Sequence, residues 1–70
     1  MPESAYKIIE LVGTSTESWE AAARGAVERA SSKLRDLRIA EVEKLDLTVE
    51  NNKVVLYRAR IKLSFKYEEA

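Results

Sequence analysis

The chain has 70 residues, enough for one small domain over residues 1–70, and its 12 basic and 12 acidic side chains give a formal net charge of zero. It contains neither cysteine nor histidine, which excludes disulfides, thiolate metal sites and catalysis by cysteine–histidine or serine–histidine pairs, so we expect that it is not an enzyme. A core this small rarely supplies more than roughly 3–5 kcal/mol, which leaves self-association as the open route to extra stability.

The first predicted element is a strand over Ala5–Val12, a run of bulky and β-branched side chains that ends at a turn-prone segment, Gly13–Thr16. A helix is then expected to begin within Thr14–Thr16, because hydroxyl oxygens can accept hydrogen bonds from the free amides of a first turn. Glu17 and Glu20 follow near the positive end of that helix.

One apolar stripe runs along the predicted helix at steps of three and four residues: Trp19, Ala22, Ala23, Ala26, Val27, Ala30, Leu34 and Leu37. Alanines dominate its middle, so the helix can approach a sheet closely. We interpret Trp19 as a core or interface residue because the stripe already accounts for it.

A second strand is predicted from Arg38 to Val49, and the parity of its apolar positions changes near Glu43-Lys44, which indicates a bulge, a bend or a change of covered face. Glu50–Lys53 predicts a hairpin because asparagine tolerates the positive φ of tight turns. The third strand alternates with apolar residues on one face: Val55, Tyr57, Ala59, Ile61, Leu63, Phe65 and Tyr67.

This order predicts an α+β fold, β-α-β-β, in which a three-stranded antiparallel sheet packs on one helix. A last strand of about fourteen residues is much longer than the usual five or six. One helix cannot cover so long a ribbon, and uncovered sheet and free edges favour association with other copies.

Two short motifs, together with their order and spacing, resemble the dodecin family. They are Val12–Ser15 at the end of the first strand and Phe65–Glu69 at the end of the last, with Ala40–Val42 between them. The resemblance covers nearly the whole chain. It implies a hollow homododecamer that stores or sequesters flavins.

Three positions depart from the flavin-binding members. The resemblance implies that those members have a flavin-stacking tryptophan where this chain has Ile39. In the same way, they have a flavin-bonding glutamine at the position of Arg58 and a pocket-lining arginine at the position of Asp46. Losing an aromatic contact removes about 0.5–1.5 kcal/mol beyond simple burial. We therefore expect a pocket at Ile39, Glu41, Asp46 and Arg58 that has lost its affinity for flavin. Flavin storage in a remodelled pocket is the alternative.

The segment Ser18–Ala22 resembles a second dodecin subgroup, which lacks the flavin tryptophan and in which calcium binding occurs. The resemblance thus implies Ca²⁺ as a candidate cofactor, and Glu17, Ser18 and Glu20 are the candidate metal ligands beside the motif. Calcium needs about six to eight oxygens and no calcium-loop pattern is present, so a site would be shared between segments or subunits. Ordinary helix capping is the competing interpretation.

Basic side chains project from one face of the third strand: Arg58, Arg60, Lys62 and Lys66. They offer a site for a phosphate-bearing ligand, and the resemblance adds Lys66 as a candidate contact because some dodecins carry coenzyme A near their threefold interfaces. The competing interpretation is pairing with Glu41, Glu43 and Asp46 on the neighbouring strand, at about 0.2–1 kcal/mol per pair.

The remaining expectations concern partners and location. Met1–Ser4 lacks the basic and apolar regions of a secretion signal and no run of about 18 apolar residues occurs, so we expect a cytoplasmic protein without a membrane partner. Neutral net charge argues against nucleic-acid binding. The expected partners are other copies of the chain and a small ligand or metal ion, and a purely structural shell is the alternative.

Overall fold

The strand-helix-strand-strand order predicted above is confirmed in the computed structural model, which describes residues 4–66. Its elements are β1 (Tyr6–Ser15), α1 (Trp19–Ser31), β2 (Leu37–Glu50) and β3 (Lys53–Lys66). All strand pairs are antiparallel, and β3 lies in the centre of a sheet with the order β1-β3-β2. The motif residues Tyr67, Glu68 and Glu69 lie outside the described residues.

The alternation of β3 builds the core. Ala59, Ile61 and Leu63 have no exposed surface, and they pack with Ala22 and Ala26 of the helix. Full burial of an isoleucine or leucine side chain contributes about 1.5–3 kcal/mol, so these contacts dominate the stability of the chain. The alanines of the predicted stripe are thus the helix side of the core.

The first strand continues past Val12 to Ser15, through a segment that the sequence predicted as a turn. Gly13 pairs with Ala59, and a β-carbon at position 13 would collide with the carbonyl oxygen of Ala22 in the helix. Glycine is therefore required by the close approach of α1 to β1, and it does not end the strand.

The helix begins later than predicted. Ser18 is the N-cap, and its Oγ accepts a hydrogen bond from the amide of Ala21 at 3.0 Å. The expected start within Thr14–Thr16 is wrong because Thr14 and Ser15 still belong to β1. The hydroxyl of Ser15 instead accepts a hydrogen bond from the amide of Glu17 at 2.9 Å and so stabilises the turn between strand and helix.

The helix ends at Ser31, so Leu34 and Leu37 lie outside it although the apolar stripe includes them. Both still pack against the core, and Leu37 is the first residue of β2. The chain reverses at Asp36, which has a φ of 56°. The apolar spacing continues past the helix because the connection folds back onto the same core.

The hairpin and the bulge of β2 are confirmed. Asn51 and Asn52 have φ values of 52° and 63° in the turn between β2 and β3, and the register shifts between Val42 and Lys44. The helix packs mainly on β1 and β3, so β2 keeps exposed apolar side chains on its helix side: Val42, Leu45 and Leu47. Within residues 4–66, no helix is long and apolar enough to cross a membrane.

Candidate ligand site on the outer face of the sheet

The outer face of the sheet is the face turned away from α1. Alternate residues of β3 form its centre, and the strand register places one residue of β1 and one of β2 beside each of them. Four successive rows result: Ile8–Ser64–Ile39, Glu10–Lys62–Glu41, Val12–Arg60–Lys44 and Thr14–Arg58–Asp46. The predicted pocket positions are all members of these rows.

Asp46 and Arg58 form a two-pronged ion pair across β2 and β3. Nε of Arg58 donates to Oδ1 of Asp46 at 2.7 Å, and Nη2 donates to Oδ2 at 3.1 Å. This hydrogen bonding lowers the pKa of Asp46 and raises the pKa of Arg58. Charge-assisted bidentate pairs of this kind fix both side chains geometrically. The predicted cross-strand pairing is therefore confirmed for Arg58, whose Nε and Nη2 are held by a neighbouring carboxylate.

Ile39 lies at the other end of the rows. Its side chain is 61% exposed, as is that of Ile8 on the far side of Ser64. Ile39 pairs with residue 64 of β3 whereas Asp46 pairs with residue 58, which is a separation of about 20 Å along a strand. One copy of the chain therefore does not bring the four predicted pocket positions together.

Lys62 lies at the centre of the second row, among carboxylates of both neighbouring strands. Its Nζ is 3.0 Å from Oε2 of Glu43 and 3.9 Å from Oε2 of Glu10, and hydrogen bonding to Glu43 is the main cause of a raised Lys62 pKa. Pairing with Glu43 was predicted. The contact with Glu10 was not predicted, because the residue pattern does not determine the register between β1 and β3.

Trp19 lies on the helix side, away from the outer face. Its ring packs edge-on against Tyr57 with centroids 5.4 Å apart, and its Nε1 donates to the backbone oxygen of Asp46 at 3.0 Å. This bond ties the first residue of α1 to β2, an edge strand of the sheet. The apolar stripe predicts a core or interface position for Trp19, but no pattern in the sequence predicts this contact.

The candidate metal ligands Glu17, Ser18 and Glu20 lie together at the start of α1. Ser18 serves as the helix cap, so the capping interpretation is confirmed for its Oγ, and Glu17 and Glu20 have exposed side chains. Among the described residues, no group of three or more His, Cys, Asp or Glu side chains is arranged to hold a metal ion. A calcium site at this position would need oxygens from a second copy.

Lys66 borders a groove of about 260 Å³ near the end of the sheet. The groove has apolar and cationic walls and is lined by Lys33, Leu34, Arg35, Asp36, Phe65 and Lys66. The amide of Lys66 donates to the backbone oxygen of Asp36 at 3.2 Å, which joins the two sides of the groove. Lys33 and Arg35 were missed at the sequence level because they lie on the connection between α1 and β2.

Comparison with known proteins identifies the family. The profile of the dodecin family matches residues 5–68. A curated relative, the calcium dodecin of Mycobacterium tuberculosis, is 42% identical over 67 residues, which are 96% of this chain and 94% of the relative.

Solved structures agree. The dodecin of Streptomyces coelicolor superposes with a TM-score of 0.91 at 37% identity over the whole of both chains. A crystal structure of the calcium dodecin from Mycobacterium tuberculosis, described as having a novel calcium-binding site, superposes with a TM-score of 0.84 at 40% identity over 96% of each chain. The chain belongs to the dodecin family.

Proposed function

We propose that this chain is a non-catalytic binding protein of the dodecin type, assembled as a homododecamer, whose pocket no longer selects flavin. The observation that carries the proposal is the ion pair between Asp46 and Arg58. A flavin edge needs free hydrogen-bonding groups, and here Asp46 holds both Nε and Nη2 of Arg58. At the stacking position, Ile39 offers a branched aliphatic side chain in place of an aromatic plane.

A riboflavin titration tests this proposal. We expect the flavin fluorescence to stay unchanged when micromolar wild-type protein is added. The triple variant Ile39→Trp, Asp46→Arg, Arg58→Gln should quench it, because it restores the aromatic plane, the arginine and the amide together. Val54→Trp is the control, since it adds a tryptophan at an exposed position of the hairpin. Stoichiometric quenching by the wild type would contradict the loss of the pocket.

Calcium is the metal ion that we propose for this chain. The support is the 42% identical relative, which is named a calcium dodecin, and the two exposed carboxylates at the start of α1. Glu17 and Glu20 would each supply oxygens to a site completed by a neighbouring copy, since Ca²⁺ takes six to eight oxygen ligands. Ser18 would contribute through its backbone or a water, because its Oγ already caps the helix.

Calorimetric titration with CaCl₂ checks this assignment. Glu17→Gln and Glu20→Gln should each weaken the binding at least tenfold, since both remove a charged ligand without changing the size of the side chain. Glu28→Gln is the matched control, an exposed carboxylate further along the same helix. Equal affinity in all four proteins would place the calcium elsewhere, and no heat at millimolar Ca²⁺ would remove calcium from the proposal.

A second candidate ligand is an organic phosphate in the groove beside Lys66. Three cationic residues, Lys33, Arg35 and Lys66, outnumber the one acidic residue, Asp36, in the lining of this groove, and Leu34 and Phe65 supply its apolar part. Such a surface suits a ligand with both a phosphate and an apolar part. With coenzyme A as the probe, Lys66→Ala should lower the affinity several-fold and weaken its dependence on salt, whereas Lys53→Ala at the other end of β3 should not.

A further inference from the structure

A cavity of about 240 Å³ lies between the first strand and the helix. Its lining consists of four consecutive residues of β1, Leu11–Thr14, together with Ala26 and Arg29 of α1. Consecutive residues of a strand point to opposite faces of a sheet, so a cavity lined by all four lies at the edge of the strand. The cavity, which we call the edge groove, shares no residue with the flavin, calcium and phosphate positions considered above.

The strand side of the edge groove offers hydrogen-bonding groups of the main chain. β1 is an outer strand of the sheet, and in an antiparallel ladder every second residue turns its N–H and C=O away from the paired strand. Two of the four residues Leu11–Thr14 therefore direct both groups outward. Within residues 4–66, no turn, loop or side-chain hydrogen bond involves this segment. An added strand would find both donors and acceptors there.

The segment Leu11–Thr14 has none of the features that usually protect an exposed strand edge. Such features include charged side chains, prolines and bulges. The charged residues of β1, Lys7 and Glu10, both precede this segment. The register between β1 and β3 has no shift along the whole strand. This part of the edge is therefore suited to pairing with a further strand.

Arg29 gives the edge groove a preference for negative charge. It is an exposed residue in the last turn of α1, and none of the ion pairs within residues 4–66 includes it. A guanidinium group binds a carboxylate through paired N–H donors. Pairing with the segment Leu11–Thr14 of a second copy would bring no carboxylate to Arg29. An acidic strand from a different protein fits the charge of the groove better.

We propose that the edge groove binds an extended peptide segment of a partner protein as a fourth strand, in which Arg29 selects an acidic side chain. Hydrogen bonds between main chains supply the affinity in this mode of recognition, and side-chain contacts supply the specificity. The groove is smaller than the roughly 300–1,000 Å³ of typical sites for drug-sized ligands, so the contact is short. The inference goes beyond the binding of small ligands and does not depend on it.

Fluorescence anisotropy of the full-length protein with labelled peptides tests the proposal. The probe is a fluorescein-labelled tripeptide amide with the sequence valine, glutamate, valine, since β-branched residues favour an extended chain. Matched peptides carry glutamine or lysine in place of glutamate, and a fourth has methylated backbone nitrogens. We expect the glutamate peptide to bind about two- to fivefold more tightly than the glutamine peptide, because an exposed ion pair contributes little. The lysine peptide should bind more weakly still, and the methylated peptide should not bind.

Two arginine variants assign the charge preference to one side chain. Arg29→Gln should bind the glutamate and glutamine peptides equally. Arg24→Gln is the matched control, an exposed arginine earlier in the same helix that does not line the groove, and it should keep the preference of the wild type. Circular dichroism verifies that both variants are folded. Hydrogen exchange should show that the glutamate peptide protects amides of Leu11–Thr14 and leaves those of β2 unchanged.

Four results would overturn the proposal. An undiminished preference for glutamate in Arg29→Gln would remove the role of Arg29. Equal binding of the methylated peptide, or protection confined to other segments, would exclude strand addition to β1. Displacement of the probe by an equal concentration of free glutamate would make the groove a site for small carboxylates. No change in anisotropy at millimolar protein would exclude peptide binding altogether.

Discussion

The two faces of β3 are built from alternate residues of one strand, yet different forces hold them. On the helix side, Ile61 and Leu63 are completely buried against α1. On the outer side, Arg58 and Lys62 remain partly exposed and are positioned by carboxylates of the neighbouring strands. Surface ion pairs contribute little free energy, whereas each buried side chain contributes up to a few kcal/mol. The helix side therefore supplies most of the stability of the chain, and substitutions on the outer side change the free energy of unfolding less.

Truncating a leucine on each face of β3 gives the largest expected contrast. Leu63→Ala should lower the free energy of unfolding by about 2–5 kcal/mol, since it leaves a cavity under the helix. Leu56→Ala is the matched control, a partly exposed leucine on the outer face of the same strand. Leu56→Ala should lower the free energy of unfolding by less than half as much as Leu63→Ala. Urea unfolding followed by circular dichroism measures both losses. Equal losses would show that the outer face is packed as tightly as the core.

Substitutions of the two glycines, Gly13 and Gly25, test how closely α1 approaches β1 on the helix side. Gly13→Ala should destabilise the protein by about 1–3 kcal/mol, because the new methyl group meets the carbonyl oxygen of Ala22 and forces the helix outward. Gly25→Ala should stabilise the protein by about 0.5–1 kcal/mol, because alanine is the better helix former. A β-carbon at position 25 would also have no atom of another part of the chain within 4 Å. Thermal unfolding measures both changes. The same sign for both would refute the close approach of α1 to β1.

The ion pair of the outer face should have the smallest effect, visible as a dependence on pH. Hydrogen bonding to Arg58 lowers the pKa of Asp46 below its ordinary value of 3.8. The pair therefore stabilises the folded chain above that value, and this contribution is lost as the pH falls through the lowered pKa. Asp46→Asn removes the contribution at every pH.

Urea unfolding of wild type and Asp46→Asn from pH 7 to pH 2 checks the sign. The difference in free energy of unfolding between wild type and Asp46→Asn should stay constant down to about pH 5 and shrink at lower pH. Glu50→Gln, at a hairpin carboxylate that forms no ion pair within residues 4–66, is the control for the removal of one negative charge. A difference that grows on acidification would contradict the assigned cause.

The fold was predictable because its signals are local. The alternation of β3, the alanine stripe of α1 and the two asparagines of the hairpin each act over a few residues. The start of the helix was not predictable from such local signals, because pairing with β3 keeps Thr14 and Ser15 in β1. Several hydroxyl residues in a row offer equivalent caps, and only the tertiary contacts of the strand select Ser18.

The site depends on register, which the sequence encodes only weakly. Counting back from the hairpin pair Glu50–Lys53, a regular ladder would place Asp46 opposite Tyr57, on the helix side of β3. The irregularity between Thr48 and Val49 shifts the register by one residue, so that Asp46 meets Arg58. Residue types alone suggested the pair, but this bulge decides whether it forms.

Native mass spectrometry of the purified protein tests the central claim most directly, since one spectrum gives both the assembly and what it holds. We predict a single species at about twelve times the chain mass of 7.9 kDa that retains no flavin and gains mass when Ca²⁺ is added. A monomer at micromolar concentration, or a dodecamer that carries flavin at fixed stoichiometry, would contradict the account.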